Sequence, residues 1–192
     1  MGTCKDIWKT LLGKQKDEMN KDIHTFIGID PGIFGAIAII QFDKLVLTSA
    51  FNADRDACKI LNNYNPDHTI VGIEELHALY AVASKSTFML GKQCGKWEGS
   101  CCSLGFRTCM IPPKDWQESV TIPPVKPVTK GLEKKEADKI KKAHKQAIKD
   151  ESIRAANDMF PEANITQDGI ADAVNICVFL RYLYRQNRLQ FL

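Results

Sequence analysis

Four acidic residues interrupt apolar stretches that otherwise have the composition of ordinary core segments of a folded domain. They are Asp30, Glu74, Asp168 and Asp172. An unpaired charge in such surroundings is costly, and proteins usually keep one only when it is paired or bound to a metal ion. The four acids are therefore a candidate functional site, and the segments around them must allow the carboxylates to meet.

The apolar runs predict a sheet of five strands. TFIGID, AIAIIQF and KLVLTSAF follow one another with very short connections, which predicts three antiparallel strands from about residue 25. HTIVGIE at 68–74 has few polar interruptions and predicts a central strand covered on both faces. RTCMIPP predicts a fifth strand, which Pro112 and Pro113 would stop.

Helical spacing of apolar residues appears between and after these strands. It covers 53–64, with Asn52 as a candidate N-cap, and a stretch from Ser84 to about Leu104. It returns at 149–160 and in the final run QDGIADAVNICVFLRYLYR. The order of three antiparallel strands, helix, strand, helix, strand, helix and helix predicts a layered α/β domain with a mixed sheet.

Two segments fall outside this pattern. Residues 1–24 contain an amphipathic stretch, and we expect a helical arm that precedes a domain at 25–192. A Pro- and Lys-rich insertion occupies about 119–148. Its first part, 119–131, holds three prolines that block both helix and sheet, whereas 132–148 predicts a helix or a mobile arm.

Charge is concentrated in the insertion and its surroundings. From Lys126 to Arg154 there are nine Lys and one Arg against five acids, a local charge of +5 on a chain whose net charge is only +3. A local basic segment suits a phosphate-rich partner, and the alternative is a solvated lysine-rich face. The candidate nucleic-acid contacts are Lys134, Lys135, Lys141, Lys142 and Lys145.

The seven cysteines are odd in number and contain no CxxC pair that would indicate a zinc site. We expect reduced thiols and an intracellular, cytoplasmic protein. No apolar run approaches the roughly 18–20 residues that a membrane span requires. We therefore expect no membrane association, and the sequence also shows no secretory signal.

The positions of the four acids indicate a cation site. Asp30 and Glu74 end predicted strands, and Asp168 and Asp172 are four residues apart on one helical face. Oxygen ligands select hard ions, so we expect Mg²⁺, with Mn²⁺ as a substitute and two ions in each site. As alternatives, Asp168 would be a helix cap and Asp30 a turn residue. Glu75 competes with Glu74, and strand alternation favours Glu74.

Six short motifs occur in a fixed order along the chain. They are GIDPG (28–32), IEELHA (73–78), LGKQCGKWEG (90–99), IPPKDWQ (111–117), KDESIRAANDMFP (149–161) and DGIADA (168–173). The ordered set resembles RuvC-like Holliday junction resolvases over about residues 25–185. It is more similar to their compact branch in phages, large DNA viruses and organelles than to the bacterial housekeeping enzyme. The resemblance implies an RNase H-like fold, a homodimer and paired incisions in four-way DNA junctions.

The resemblance also assigns residues. The four acids match the family's acidic tetrad, Lys149 matches a basic position ahead of the penultimate helix, and Lys114 and Trp116 match the segment after the fifth strand. Two features depart from the family pattern. The last two acids are four residues apart instead of three, and the insertion is longer than expected.

The loop and helix after Glu74 would face the DNA, where aromatic side chains can stack on unpaired bases. The candidates there are His77, Tyr80, Lys85, Phe88 and Lys92. For Phe88 the alternative is a core position, and for His77 an ordinary surface histidine. Trp97 and Trp116 are expected to be packing residues.

The leading hypothesis is a metal-dependent endodeoxyribonuclease that is selective for four-way junctions and needs no small-molecule cofactor. The second hypothesis is an RNase H-type or integrase-type nuclease with the same chemistry and another substrate. An actin-like ATPase also begins with G-I-D-x-G, but 192 residues do not hold its second domain. A junction-binding module without catalysis is the last alternative, and the complete tetrad argues against it.

Overall fold

A computed structural model describes residues 22–32, 35–50, 57–76 and 84–191 of the chain. The predicted arm at 1–24 therefore lies almost entirely outside the described residues. The same is true of Asn52, His77 and Tyr80.

The five predicted strands form one mixed sheet, so this fold prediction is confirmed. The strands are β1 (Thr25–Asp30), β2 (Ala36–Gln41), β3 (Lys44–Ala50), β4 (Thr69–Glu74) and β5 (Arg107–Ile111). Their order across the sheet is β3-β2-β1-β4-β5. The β1, β2 and β3 strands pair antiparallel, whereas β4 is parallel to β1 and β5 is parallel to β4. The central strands β1 and β4 therefore end at the same edge of the sheet.

Five α-helices flank the sheet in the described residues. They are α1 (Ala57–Leu61), α2 (Ser84–Ser103), α3 (Pro113–Val120), α4 (Lys134–Met159) and α5 (Asp168–Arg185). Helix α3 differs from the sequence prediction, which has Pro112 and Pro113 end the fifth strand and places no helix after them. Pro113 instead lies in the first turn of α3, where a missing N–H costs no helical hydrogen bond.

The insertion agrees with its prediction in large part. Residues 121–133 contain neither helix nor strand, as expected, although 119 and 120 complete α3. The helical alternative for the lysine-rich piece is confirmed, and this piece is continuous with the predicted helix at 149–160 as the single helix α4. No proline or glycine interrupts 134–159, so nothing in the backbone breaks the helix there.

Two paired glycines let α5 lie directly on the sheet. Gly28 of β1 stands opposite Gly72 of β4. A Cβ atom at Gly28 would lie 2.2 Å from the carbonyl oxygen of Ala173 and 2.7 Å from the backbone nitrogen of Cys177. Any side chain at Gly28 would therefore push α5 away from the two central strands.

Strand alternation then divides the residues of β1 and β4 between two hydrophobic cores. Ile27, Ile29 and Ile73 pack on the face covered by α1 and α2, together with the buried Trp97. The opposite face packs against α3, α4 and α5. Asp30 and Glu74 follow Gly28 and Gly72 by two residues, so they lie on the face that α5 covers.

Two further expectations from the sequence concern membrane-spanning helices and disulfides. Within the described ranges, no helix is long and apolar enough to cross a membrane. Six of the seven cysteines lie in these ranges, and none of the six forms a disulfide. The thiol of Cys177 is fully buried, and its Sγ lies 3.2 Å from the carbonyl oxygen of Phe26 and 3.1 Å from that of Ala38, which share its single hydrogen.

Candidate active site

Four carboxylates gather where the central strands end against α5. Asp30 and Glu74 occupy the last positions of two neighbouring parallel strands. Asp168 is the first residue of α5 and Asp172 lies one turn later. The charge of Asp30 acts on Glu74 and Asp172, and the charge of Asp168 acts on Asp30 and Asp172. The fold therefore brings together all four acids that the sequence singled out.

Burial and mutual repulsion make three of these acids reluctant to ionise. Loss of water raises the pKa of Glu74 to about 8, and the neighbouring charges of Asp30 and Asp172 add to that shift. Burial likewise raises the pKa of Asp172 to about 7 and also raises the pKa of Asp30. Carboxylates are held here in positions where their negative charge lacks compensation.

Three of the four carboxylates, those of Asp30, Glu74 and Asp172, each accept a hydrogen bond from a neutral group of the protein. The backbone N–H of Gly32 donates to Asp30 Oδ1 over 2.9 Å, and the indole Nε1–H of Trp116 donates to Glu74 Oε1 over 3.1 Å. The hydroxyl of Ser152 donates to Asp172 Oδ1 over 2.5 Å. These three partners are neutral, so they orient the carboxylates without cancelling their charge.

Asp168 differs from the other three acids because it has a cationic partner. Lys149 Nζ lies 2.6 Å from its Oδ2, and both side chains are about half exposed. The hydrogen bond from Lys149 holds the pKa of Asp168 below its usual value. Backbone N–H groups of Asp168 and Gly169 also contact this carboxylate. It therefore has some of the capping character considered from the sequence, although Gln167 occupies the N-cap position.

Oxygen-only donors and uncompensated negative charge fit hard divalent cations. The side chains are not preassembled for an ion, because among the described residues no group of three or more acidic, histidine or cysteine side chains could hold a metal as it stands. Cation binding would therefore require some of these carboxylates to come closer together than they are in this structure. The donor chemistry fits such ions.

Glu75 follows the last residue of β4 and lines a groove beside β5, together with Asp115, Glu118 and Arg188. That strand alternation points Glu74 and Glu75 to opposite faces stays a prediction. The backbone N–H of Glu75 donates to the carbonyl oxygen of Ile111, which continues the parallel ladder by one bond. Glu75 is therefore a natural control position for Glu74.

The lysines expected at a nucleic-acid surface are all exposed. Lys85 and Lys92 lie on α2, Lys114 on α3 and Lys149 on α4, and Lys114 also lies 3.8 Å from Glu118. The lysine cluster, defined as Lys134, Lys135, Lys141, Lys142 and Lys145, is exposed on the first half of α4. Lys149 is the only one of these lysines with an ion pair to a tetrad acid in the described part of the chain.

The aromatic candidates have different outcomes. Phe88 is 70% exposed near the start of α2, so the core alternative for this residue is wrong. His77 and Tyr80 lie outside the described residues, and their roles stay predictions. Trp116 is 1% exposed, which confirms packing, but its bond to Glu74 also places it at the site.

Sequence reasoning missed Ser152 and Asn175. Ser152 is 2% exposed and contacts Asp172, and Asn175 is fully buried and contacts Ser152. A usable signal existed in the helical spacing, because Asn175 follows Asp172 by three residues on an otherwise apolar face. Ser152 carries no comparable local signal, because its contact to Asp172 joins residues 20 positions apart.

Comparison with known proteins identifies the fold. No protein-family model matches the sequence, and no curated protein matches it either. The structure is similar to Thermus thermophilus RuvC in complex with a Holliday junction substrate, with a TM-score of 0.64 and 14% identity. A second Thermus thermophilus RuvC structure gives a TM-score of 0.61, also at 14% identity. Both matches cover 88% of this chain and 99% of the other chain, so this chain has a RuvC-like fold over most of its length.

Proposed function

We propose that this protein is a Holliday junction resolvase, a metal-dependent endodeoxyribonuclease that makes paired incisions in four-way DNA junctions. The observation that carries the proposal is the convergence of Asp30, Glu74, Asp168 and Asp172 at one sheet edge, with raised pKa values at the three most buried acids. The RuvC-like fold supports the same conclusion, because a solved protein of this fold is bound to a junction substrate.

The chain's own residues would divide the work between holding cations and holding DNA. The four carboxylates would bind Mg²⁺ or Mn²⁺, and Gly32, Trp116 and Ser152 would orient them. The chemistry that two bound cations supply is activation of a water molecule and stabilisation of the leaving oxygen of a phosphodiester. Lys149 lies beside the carboxylates, where its ammonium group can move from Asp168 to a DNA phosphate.

The exposed lysines give this proposal a binding surface. A structure-selective enzyme needs phosphate contacts that are independent of sequence, and exposed Lys side chains supply them. We infer that the lysine cluster and Lys85, Lys92 and Lys114 contact the junction arms. Phe88, which exposes most of its ring, is suited to stack on an unpaired base at the junction centre.

We also propose a twofold-symmetric homodimer, because two symmetric incisions need two sites related by the symmetry of the junction. Helix α2 offers a face for it, since Cβ atoms at Gly91, Gly95 and Gly99 would meet none of the described residues within 4 Å. Sedimentation with and without junction DNA tests this point. A protein that stays monomeric at micromolar concentration in both conditions would contradict the dimer.

The deciding experiment compares substrates. Purified protein is incubated in Mg²⁺ with a synthetic four-way junction, a linear duplex, a flap and an RNA–DNA hybrid. We expect symmetric nicks in the junction, activity with Mg²⁺ or Mn²⁺, and binding without efficient cleavage in Ca²⁺. Glu75→Gln serves as the matched control for Glu74→Gln. Cleavage confined to the hybrid, or full activity in EDTA, would refute the proposal.

A further inference from the structure

Two uncharged side chains form a second layer beneath Asp172. Ser152, on α4, and Asn175, on α5, are almost completely removed from solvent. Asn175 Nδ2 lies 3.0 Å from the backbone oxygen of Ser152 and 2.9 Å from its Oγ. Ser152 Oγ in turn lies 2.5 Å from Asp172 Oδ1. Three polar groups are thus connected in a line that crosses the interface of two helices.

The direction of these hydrogen bonds is fixed by the chemistry of their partners. A backbone carbonyl can only accept, so the atom of Asn175 that faces Ser152 must be its amide nitrogen. The second hydrogen of that nitrogen points to Ser152 Oγ, which therefore accepts. The single hydroxyl hydrogen of Ser152 then remains for Asp172 Oδ1, since a carboxylate also accepts. The chain of donation runs from Asn175 through Ser152 to Asp172.

This arrangement suits a carboxylate that must bind a cation. Ser152 and Asn175 are both neutral, so the Ser152 hydroxyl holds Asp172 Oδ1 without adding a positive charge that would compete with the ion. The bond leaves Asp172 Oδ2 outside the relay. A hydrogen bond to an ionised carboxylate is also stronger than one between neutral groups, which favours one side-chain orientation.

We propose that Ser152 and Asn175 are positioning residues that hold the carboxylate of Asp172 in its cation-binding orientation, with Asn175 acting through Ser152. This inference rests on the proposed function, because it assigns a purpose to the buried contacts of one tetrad acid. It extends that function by adding two residues that neither the acidic motif nor the charge pattern identifies.

The test measures Mn²⁺ binding to the free protein by isothermal titration calorimetry, so it does not depend on DNA cleavage. Loss of an outer partner of a metal ligand typically weakens metal affinity 10- to 100-fold. We expect Ser152→Ala to weaken Mn²⁺ binding by roughly 10-fold or more. We expect Asn175→Leu, which is similar in size, to weaken it by about threefold or more, since it removes only the donor to Ser152.

Asn157→Ala is the matched control for a purely structural effect. Asn157 is a partly buried asparagine on the same helix as Ser152, and among the described residues its side chain bonds only backbone groups of Ile153 and Ile165. This variant should lower the melting temperature and leave the affinity for Mn²⁺ unchanged. A Ser152→Ala variant that loses stability but keeps wild-type Mn²⁺ affinity would overturn the proposal.

The double variant tests whether Asn175 acts through Ser152. Once Ser152 is alanine, the relay predicts that Asn175→Leu changes Mn²⁺ affinity by less than twofold. Effects that multiply in the double variant would refute the relay, because independent contacts add in free energy. If Asn175→Leu does not fold, Asn175→Ala takes its place in both the single and the double variant.

The failure of this inference can be separated from the failure of the proposed function. Asp172→Asn is measured in the same titration. Wild-type protein that binds Mn²⁺ through Asp172, with no effect of Ser152→Ala, would refute only the relay. Wild-type protein that binds no Mn²⁺, or binds it independently of Asp172, would refute the proposed cation site as well.

Discussion

Replacing Glu74 with glutamine should make the metal-free protein more stable at alkaline pH. Glu74 is surrounded by Asp30 and Asp172, and burial raises its pKa from 4.5 to about 8. Glutamine has nearly the same shape, carries no charge, and can still accept the hydrogen bond from Trp116. The substitution therefore removes the electrostatic cost of the carboxylate and keeps its packing.

The size and sign of the effect follow from proton linkage. Below pH 4.5 the carboxyl is protonated in both the folded and the unfolded chain, so its charge costs nothing. Between pH 4.5 and about 8 the unfolded chain loses the proton first, and stability falls as pH rises. If Glu74 titrated alone, a pKa shift of this size would lower the free energy of unfolding by roughly 5 kcal/mol. Because protons redistribute among the coupled acids, we expect the free energy of unfolding to fall by about half of that figure.

The assay is urea unfolding in EDTA at pH 5 and pH 8. Glu74→Gln should match wild type within about 0.5 kcal/mol at pH 5, and should exceed it by about 2.5 kcal/mol at pH 8. Adding Mg²⁺ at pH 8 should stabilise wild type more than the variant, because only wild type retains the complete ligand set. Glu75→Gln should behave like wild type at both pH values.

A free-energy difference between wild type and Glu74→Gln that does not change from pH 5 to pH 8 would refute the reasoning. So would a variant that is less stable than wild type at pH 8 in EDTA. Either result would mean that Glu74 is a structural residue whose charge the fold already compensates.

The remaining predictions concern catalysis, DNA affinity and packing. Asp30→Asn and Asp172→Asn should each abolish junction cleavage in a gel assay but leave junction binding intact or tighter, because a carboxylate facing the phosphates is removed. Neutralising the lysine cluster should weaken binding, and each lost phosphate contact should reduce the log–log salt slope by ~0.9; an unchanged slope would exclude DNA contact by this surface. Gly28→Ala should destabilise the domain by roughly 3 kcal/mol or more in urea unfolding, because the new Cβ meets the backbone of α5 at 2.2 Å. Gly72→Ala should cost less, since its Cβ would meet only side chains, at 3.2 Å or more; equal costs would contradict this account of the helix contact.

The sheet could be predicted because its signals are local. Each strand is a short apolar run bounded by turn residues, and the acids at the ends of β1 and β4 mark where those runs stop. The four candidate acids could be identified from the sequence because a charge in an apolar segment is conspicuous.

Other features depend on contacts between distant segments. Nothing local distinguishes Ser152 from an ordinary helical serine, and its meaning comes from α4 packing against α5. Trp116 was read as a packing residue because its indole N–H partner lies 42 positions away on β4. Helix α3 was missed because prolines that end a strand can equally begin a helix. A core position for Phe88 was one of two alternatives, and the sequence could not decide between them because the choice depends on which segments pack on α2. The described neighbours leave its ring exposed.

The most direct test of the central claim is anomalous diffraction from crystals grown in Mn²⁺. If Asp30, Glu74, Asp168 and Asp172 form a two-cation site, two manganese peaks should appear among their carboxylates, ~3.5–4 Å apart. The oxygens of Asp30 and Asp172 should lie within bonding distance of these peaks, and Trp116 and Ser152 should remain beside the ligands that they orient. The account would be contradicted if manganese bound only elsewhere and no peak lay among the four carboxylates.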